Sequence, residues 1–174
     1  TELPVWDLSE IYKDIDDPSI ESDIKISIEL SENFSIQWKG KIKNLNASEF
    51  LNRIETYQNI SEKIYKIGTH SNLIFATNME DPEISRYNAS VSDKLTEISS
   101  LLVFFTLELS KLDDKTVSEW TKDTNSSKWL PYLTILRKKN DYLLDPLVEE
   151  MLIEKSATGR SAWVRLFDET SAAL

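Results

Sequence analysis

The stretch DPEISRYNASVSDKLTEISSLLVFFTLELSKL, residues 81–112, decides the fold. Its apolar residues fall at Ile84, Tyr87, Val91, Leu95, Ile98, Leu102, Phe105, Leu109 and Leu112. These unbroken steps of three and four are the period of an amphipathic helix, here about eight turns long. In the middle, LLVFF (101–105) is apolar on every side, so other helices are expected to surround it. The opening Asp81-Pro82 suits a helix start, because the aspartate can cap free N–H groups and proline at the first helical position needs none.

Working outward, Asn46 followed by Glu49 resembles a capping box, and the stripe after it runs Phe50, Ile54, Tyr57, Ile60, Ile64, Ile67 and Ile74. The helices over 46–77 and 82–112 are therefore expected to form a long antiparallel hairpin through the turn at Asn78–Pro82. Ahead of them, Ile20, Ile24, Ile28 and Phe34 predict a helix from Pro18 to about Trp38, followed by the loop KGKIKNLN. Behind them, Asp113 caps a short helix to Lys122, the polar gap DTNSS (123–127) follows, and another short helix runs through Leu136. Two more segments close the chain, Pro146 to about Ser156 and Gly159 to the end. Asp17-Pro18 and Asp145-Pro146 repeat the start signal of Asp81-Pro82. Nothing in the chain sustains the alternation of a strand. The reading is all-α: a multi-helix bundle around a long helical hairpin, with residues 1–174 forming one domain.

Composition narrows the function. There are 20 basic against 30 acidic side chains, which argues against a nucleic-acid backbone or an anionic membrane as partner. Residues 1–35 alone hold ten acidic and two basic groups, so the rest of the chain is nearly balanced. The absence of cysteine excludes disulfides, thiolate nucleophiles and Cys-bound zinc, and points to the cytoplasm. No apolar run approaches the ~18 residues of a membrane span, and the acidic N-terminus is unlike a signal peptide. The five Asn-x-Ser triplets follow from an Asn- and Ser-rich composition. A first residue Thr1 in place of Met suggests a processed or partial chain.

Few residues carry chemistry. The single histidine, His70, has neither a glutamate after it nor a second histidine one turn on, so a histidine metal site or a Ser-His-Asp triad is unsupported. It stands next to the apolar stripe of its helix and reads as a packing or surface residue. The pairs Asp16-Asp17, Asp113-Asp114 and Glu149-Glu150 sit at helix starts or in a first turn, where capping and dipole compensation explain them better than acid-base work. Arg137, Lys138 and Lys139 read as a solvated helix face. No phosphate-binding glycine loop or calcium loop is present.

The closing stretch EKSATGRSAWVRLFDET (154–170) differs in kind. Trp163, Leu166 and Phe167 share a helical face, Arg160 flanks it one turn earlier, and Arg165 points away. One reading makes Trp163 and Phe167 core and pairs the arginines with Asp168 or Glu154. The other notes that arginine in a chain with fifteen lysines and five arginines suits planar contact at an interface. The helix also reaches Leu174 without a stop signal, so the protein is expected to continue beyond it.

Three stretches together, LPVWDLSEIY (3–12), LLVFFTLEL (101–109) and EKSATGRSAWVRLFDE (154–169), resemble the N-terminal region of oligoendopeptidase F and its relatives. These belong to the zinc metallopeptidases that include thimet oligopeptidase. The resemblance runs in order from Leu3 to about Ala173. It implies the helical N-terminal domain of a soluble cytoplasmic enzyme that cleaves short peptides inside a deep channel walled partly by these helices. In that family an H-E-x-x-H helix and a further glutamate hold zinc, and the glutamate within the motif is the general base. None of those residues can be carried over, since the chain has one histidine and no H-E-x-x-H. The resemblance therefore implies an inactive fragment whose zinc and catalytic residues lie in an absent C-terminal domain, with about 157–174 as the helix leading into it. Arg160, Trp163 and Arg165 match positions of the family motif and are expected to pack against that domain, unless all three prove buried in this one. The competing reading is an independent binding or scaffold module whose hairpin (46–112) offers a groove to a partner helix. A fragment that leaves such an interface bare is also expected to be able to dimerise through it.

Overall fold

The computed structural model describes residues 7–172 and consists, among these, of helices joined by short turns with no strand. In chain order the helices are α1 (Pro18–Trp38), α2 (Ala47–Thr77), α3 (Pro82–Ser110), α4 (Asp114–Trp120), α5 (Thr124–Ser127), α6 (Leu130–Lys138), α7 (Pro146–Thr158) and α8 (Arg160–Ala172). Asp17, Asp81 and Asp145 each cap the helix that follows, accepting from the backbone N–H of Ser19, Glu83 and Leu147. In the capping box of α2 the Glu49 N–H donates to Asn46 Oδ1 and the Asn46 N–H to Glu49 Oε2, both at 2.9 Å. Each such cap contributes about 1 kcal/mol by pairing N–H groups that the first turn leaves free.

The segment 123–127, read from sequence as a polar gap, is instead the one-turn helix α5. Asp123 supplies its cap, accepting from the Asn125 N–H at 2.8 Å. The opening motif at 3–12 is described only from Asp7 onward, and the end of the last helix beyond Ala172 lies outside the described residues.

α2 and α3 form the antiparallel hairpin. Tyr57 packs on Phe105 with ring centroids 4.9 Å apart, and Asn88 donates to Ser71 Oγ at 3.0 Å. α3 is the central element, packing against α1, α2, α6 and α7, which accounts for the all-round apolar LLVFF. The main core gathers Phe34, Phe50, Ile54, Ile98, Phe105, Leu109, Trp120 and Leu133 from α1 to α6, with Phe50 stacked on Trp120 at 4.7 Å. A smaller cluster joins Tyr12, Ile20, Ile24, Ile67 and Val91 at the other end of the hairpin. Among the described residues, α7 and α8 contribute no side chain to either cluster.

The α1–α2 connection turns through Gly40 at φ +82°, a conformation that a Cβ would oppose. Glu108 of α3 fixes this turn: its carboxylate accepts the N–H of Gly40 at 2.6 Å and of Ile42 at 3.1 Å. Among the described residues no helix is long and apolar enough to cross a membrane.

Candidate functional site

The closing stretch forms an arm on the outside of the bundle. α7 leaves its Asp145 cap and lies along α3, where the Ser100 hydroxyl donates to Glu154 at 3.2 Å; Lys39 at the end of α1 pairs with Glu150, also at 3.2 Å. Gly159 then separates α7 from α8. A Cβ there would stand 2.8 Å from the Lys155 carbonyl oxygen, which already accepts the Gly159 N–H, so only glycine lets the chain bend at this point.

α8 is turned with its apolar face outward. Trp163 is 71% exposed and Phe167 70%, with Leu166 beside them. The reading of Trp163 and Phe167 as core is thereby corrected. Arg160, Arg165 and Asp168 line a cleft between α8 and the hairpin, opposite Asn72, Phe75, Asn88 and Asp93. The expected arginine partners also change. Arg165 lies 3.8 Å from Glu169, one turn on in the same helix, while Glu154 is occupied by Ser100 of α3. Arg160, Trp163 and Arg165 are all exposed, and of the three it is Trp163 that belongs to the open apolar face.

α7 extends the same character. Leu147, Met151 and Leu152 are exposed large apolar side chains, so both helices of the arm carry apolar surface that the bundle leaves uncovered. The apolar patch shared by Trp163, Leu166 and Phe167 on one face of α8 is the kind of surface that marks contact sites in folded proteins.

The remaining candidates resolve into structure. Asp17 accepts backbone N–H groups from Lys13 and Ser19, and these bonds hold its carboxyl down at about 2; Asp113 is lowered in the same way by Thr116. Groups kept ionised by caps are poorly placed to shuttle protons. Glu149 accepts the Leu144 N–H at 2.8 Å, and Glu150 is the partner of Lys39. Arg137 departs from the solvated face expected of it: it is half-buried, donates to the Leu112 carbonyl at 2.8 Å and pairs with Asp114, tying α6 to the end of α3. His70 is buried between Tyr12 and Tyr87. Among the described residues no group of three or more His, Cys, Asp or Glu could hold a metal ion.

Comparison with known proteins adds one finding. Residues 108–174, from the end of α3 through the whole arm, match the family model described as Oligopeptidase F, so the resemblance read from the sequence is shown over this part. No curated protein and no solved structure matches the chain.

Proposed function

We propose, starting from the kinship of residues 108–174 with the N-terminal domain of oligopeptidase F, that this chain is the helical N-terminal domain of a cytoplasmic zinc endopeptidase acting on short oligopeptides. In this reading the helices wall part of a substrate channel and the chemistry belongs to a C-terminal catalytic domain. The observation that carries it is the coincidence of the family match with the arm and its uncovered apolar face. Trp163, with Leu166 and Phe167, would seat against the catalytic domain, and Arg160 and Arg165 would complete the contact along the cleft; α8, with the residues from about 157, is the helix that leads into that domain.

The residues present do not fit the zinc that the family implies. His70, the one histidine, is enclosed by two tyrosines, and the carboxylates nearest the helix starts are engaged as caps. Nothing in the reaction is therefore assigned to this chain's own side chains. Its part is to bind, wall and exclude.

The alternative is an independent module that offers the groove along the hairpin, lined by Ile64, Gly68, Asn72, Leu95 and Ser99, to a partner helix. The reading frame that encodes the chain tests the proposal. It should carry an H-E-x-x-H on a predicted helix downstream, and the full-length product should cleave a quenched fluorescent oligopeptide in a zinc-dependent way while the 174-residue chain does not. A frame that stops without such a helix, or metal-dependent turnover by the 174-residue chain alone, overturns it.

A further inference from the structure

The smaller cluster brings together three groups from three parts of the chain. His70 of α2 is fully buried, with Nδ1 2.9 Å from the Tyr87 hydroxyl of α3. On another side its ring meets Tyr12 edge to face, centroids 5.3 Å apart. Tyr12 is the one buried residue of 7–17, and it anchors that segment by donating its hydroxyl to Asp23 of α1 at 2.8 Å. Asp23 in turn pairs with Lys63 of α2 at 3.3 Å.

The other ring nitrogen, His70 Nε2, is buried without a hydrogen-bond partner among the described residues. Neither tautomer repairs this. If the Tyr87 hydroxyl donates to Nδ1, then Nε2 carries an unpaired N–H; if Nδ1 donates to Tyr87, then Nε2 keeps an unpaired lone pair. A second proton makes both nitrogens donors and leaves a charged N–H with no acceptor in an enclosed space, which is costly. Lys66, one turn before His70 on α2, does not offset that cost: its ammonium lies 4.3 Å from the centroid of the Tyr12 ring, in a cation–π contact.

Other charges nearby do not cancel this. Asp14 and Asp17 on the N-terminal side favour the imidazolium, but burial outweighs them and holds the His70 pKa below its ordinary 6.5. Asp16, Glu21 and Lys94 line the pocket beside Tyr87.

We propose that protonation of His70 releases residues 7–17, making this segment an acid-operated latch on the packing of α1, α2 and α3. Release exposes the imidazole and gives Nε2 water as a partner. The sign follows from linkage. His70 takes up a proton more readily when the segment is open, so docking is fully favoured above about pH 6.5 and weakens as pH falls below it, by up to tenfold in the opening equilibrium per pH unit.

Hydrogen exchange of the full chain, corrected for intrinsic rates and followed by mass spectrometry between pH 7.5 and 5, tests this. Protection in peptides covering 7–17 should fall on acidification while peptides of α3 stay protected. The single histidine resonance should report protonation over the same range. In His70→Gln the acid response should be flat. His70→Phe keeps a ring in the same place that takes up no proton and should be equally flat; it decides the matter if His70→Gln does not fold. Acid-dependent opening that persists in both His70 variants, or a titrating His70 under an unchanged segment, overturns the proposal.

Discussion

Two aromatic residues at helical positions of similar sequence character should respond in opposite ways to truncation. Phe105 in α3 is fully buried against Phe34 and Tyr57, and Phe105→Ala leaves a cavity in the main core that costs about 3–5 kcal/mol. Trp163 in α8 is 71% exposed, so less than a third of its surface is removed from water. Scaling by that share gives roughly 1 kcal/mol for Trp163→Ala, and the better helix propensity of alanine returns a few tenths of it. In a domain of this size 1 kcal/mol shifts the melting temperature by about 2–4 °C. Phe105→Ala should therefore lower Tm by roughly 6–20 °C and Trp163→Ala by about 4 °C or less. Urea denaturation followed by circular dichroism provides the parallel free energies, with an unchanged slope confirming that the same folded state is compared. Trp163→Ala should also remove a part of the tryptophan fluorescence that a polar quencher reaches readily. A loss of several kcal/mol in Trp163→Ala, equal to that in Phe105→Ala, would show that the face is covered within this domain and would refute the outward orientation of α8.

Glu108→Ala removes one carboxylate that accepts two backbone N–H groups, one of them from the fully buried Ile42; a loss of about 2–3 kcal/mol is expected, with Glu108→Gln intermediate because one acceptor oxygen remains. A change under about 0.5 kcal/mol by urea titration would mean that Gly40 holds the turn without the clamp. Gly159→Ala places a methyl group against the Lys155 carbonyl and should cost more than about 1 kcal/mol, seen as faster hydrogen exchange confined to 146–172; unchanged exchange there would show that the bend tolerates a side chain. Asp17 has its pKa lowered from 3.8 to about 2, so its contribution to stability is present above 3.8 and lost as pH falls toward 2. The difference in urea midpoint between wild type and Asp17→Ala should accordingly be constant near neutrality and close over that acid range, and a difference that persists at pH 2 would contradict the cap.

Helix starts were legible in the sequence because their signals are local. Asp17-Pro18, Asp81-Pro82, Asp145-Pro146 and the Asn46/Glu49 box depend on side chains two or three residues from the groups they satisfy. Asp123 sends the same signal and was passed over because the residues after it are polar, although one turn needs a cap more than an apolar stripe. Contacts across the hairpin were harder, yet not out of reach. With the turn at 78–81, positions 70 and 87 face each other as 71 and 88 do, so the pairing of His70 with Tyr87 follows once the two helices are folded together. Planar arginine contacts also form inside this domain. Arg137 makes the planar double contact, to the Leu112 carbonyl and Asp114, and Arg53 lies 4.4 Å over the Trp38 ring, whereas Arg165 has one distant partner in its own helix.

The direction in which α8 faces was not legible, and the reason is physical. Periodicity reveals that Trp163, Leu166 and Phe167 share a side; it does not say what covers that side. In α2 and α3 the apolar stripes meet within the chain, so period and burial coincide. In α8 they separate: Arg160, Ser161, Arg165 and Asp168 line the cleft toward the hairpin, while Trp163, Leu166 and Phe167 are open. A helix that packs chiefly on α7 and faces the hairpin across a cleft gains little from hydrophobic burial there, so its orientation cannot be explained by the stability of this domain alone. The two kinds of residue in the motif thus divide the work proposed for it. In the proposed contact Trp163 and Phe167 would supply the surface to be covered and Arg160 and Arg165 would flank it along the cleft, which is why the loss of an arginine and the loss of an aromatic should not have the same consequence for the contact.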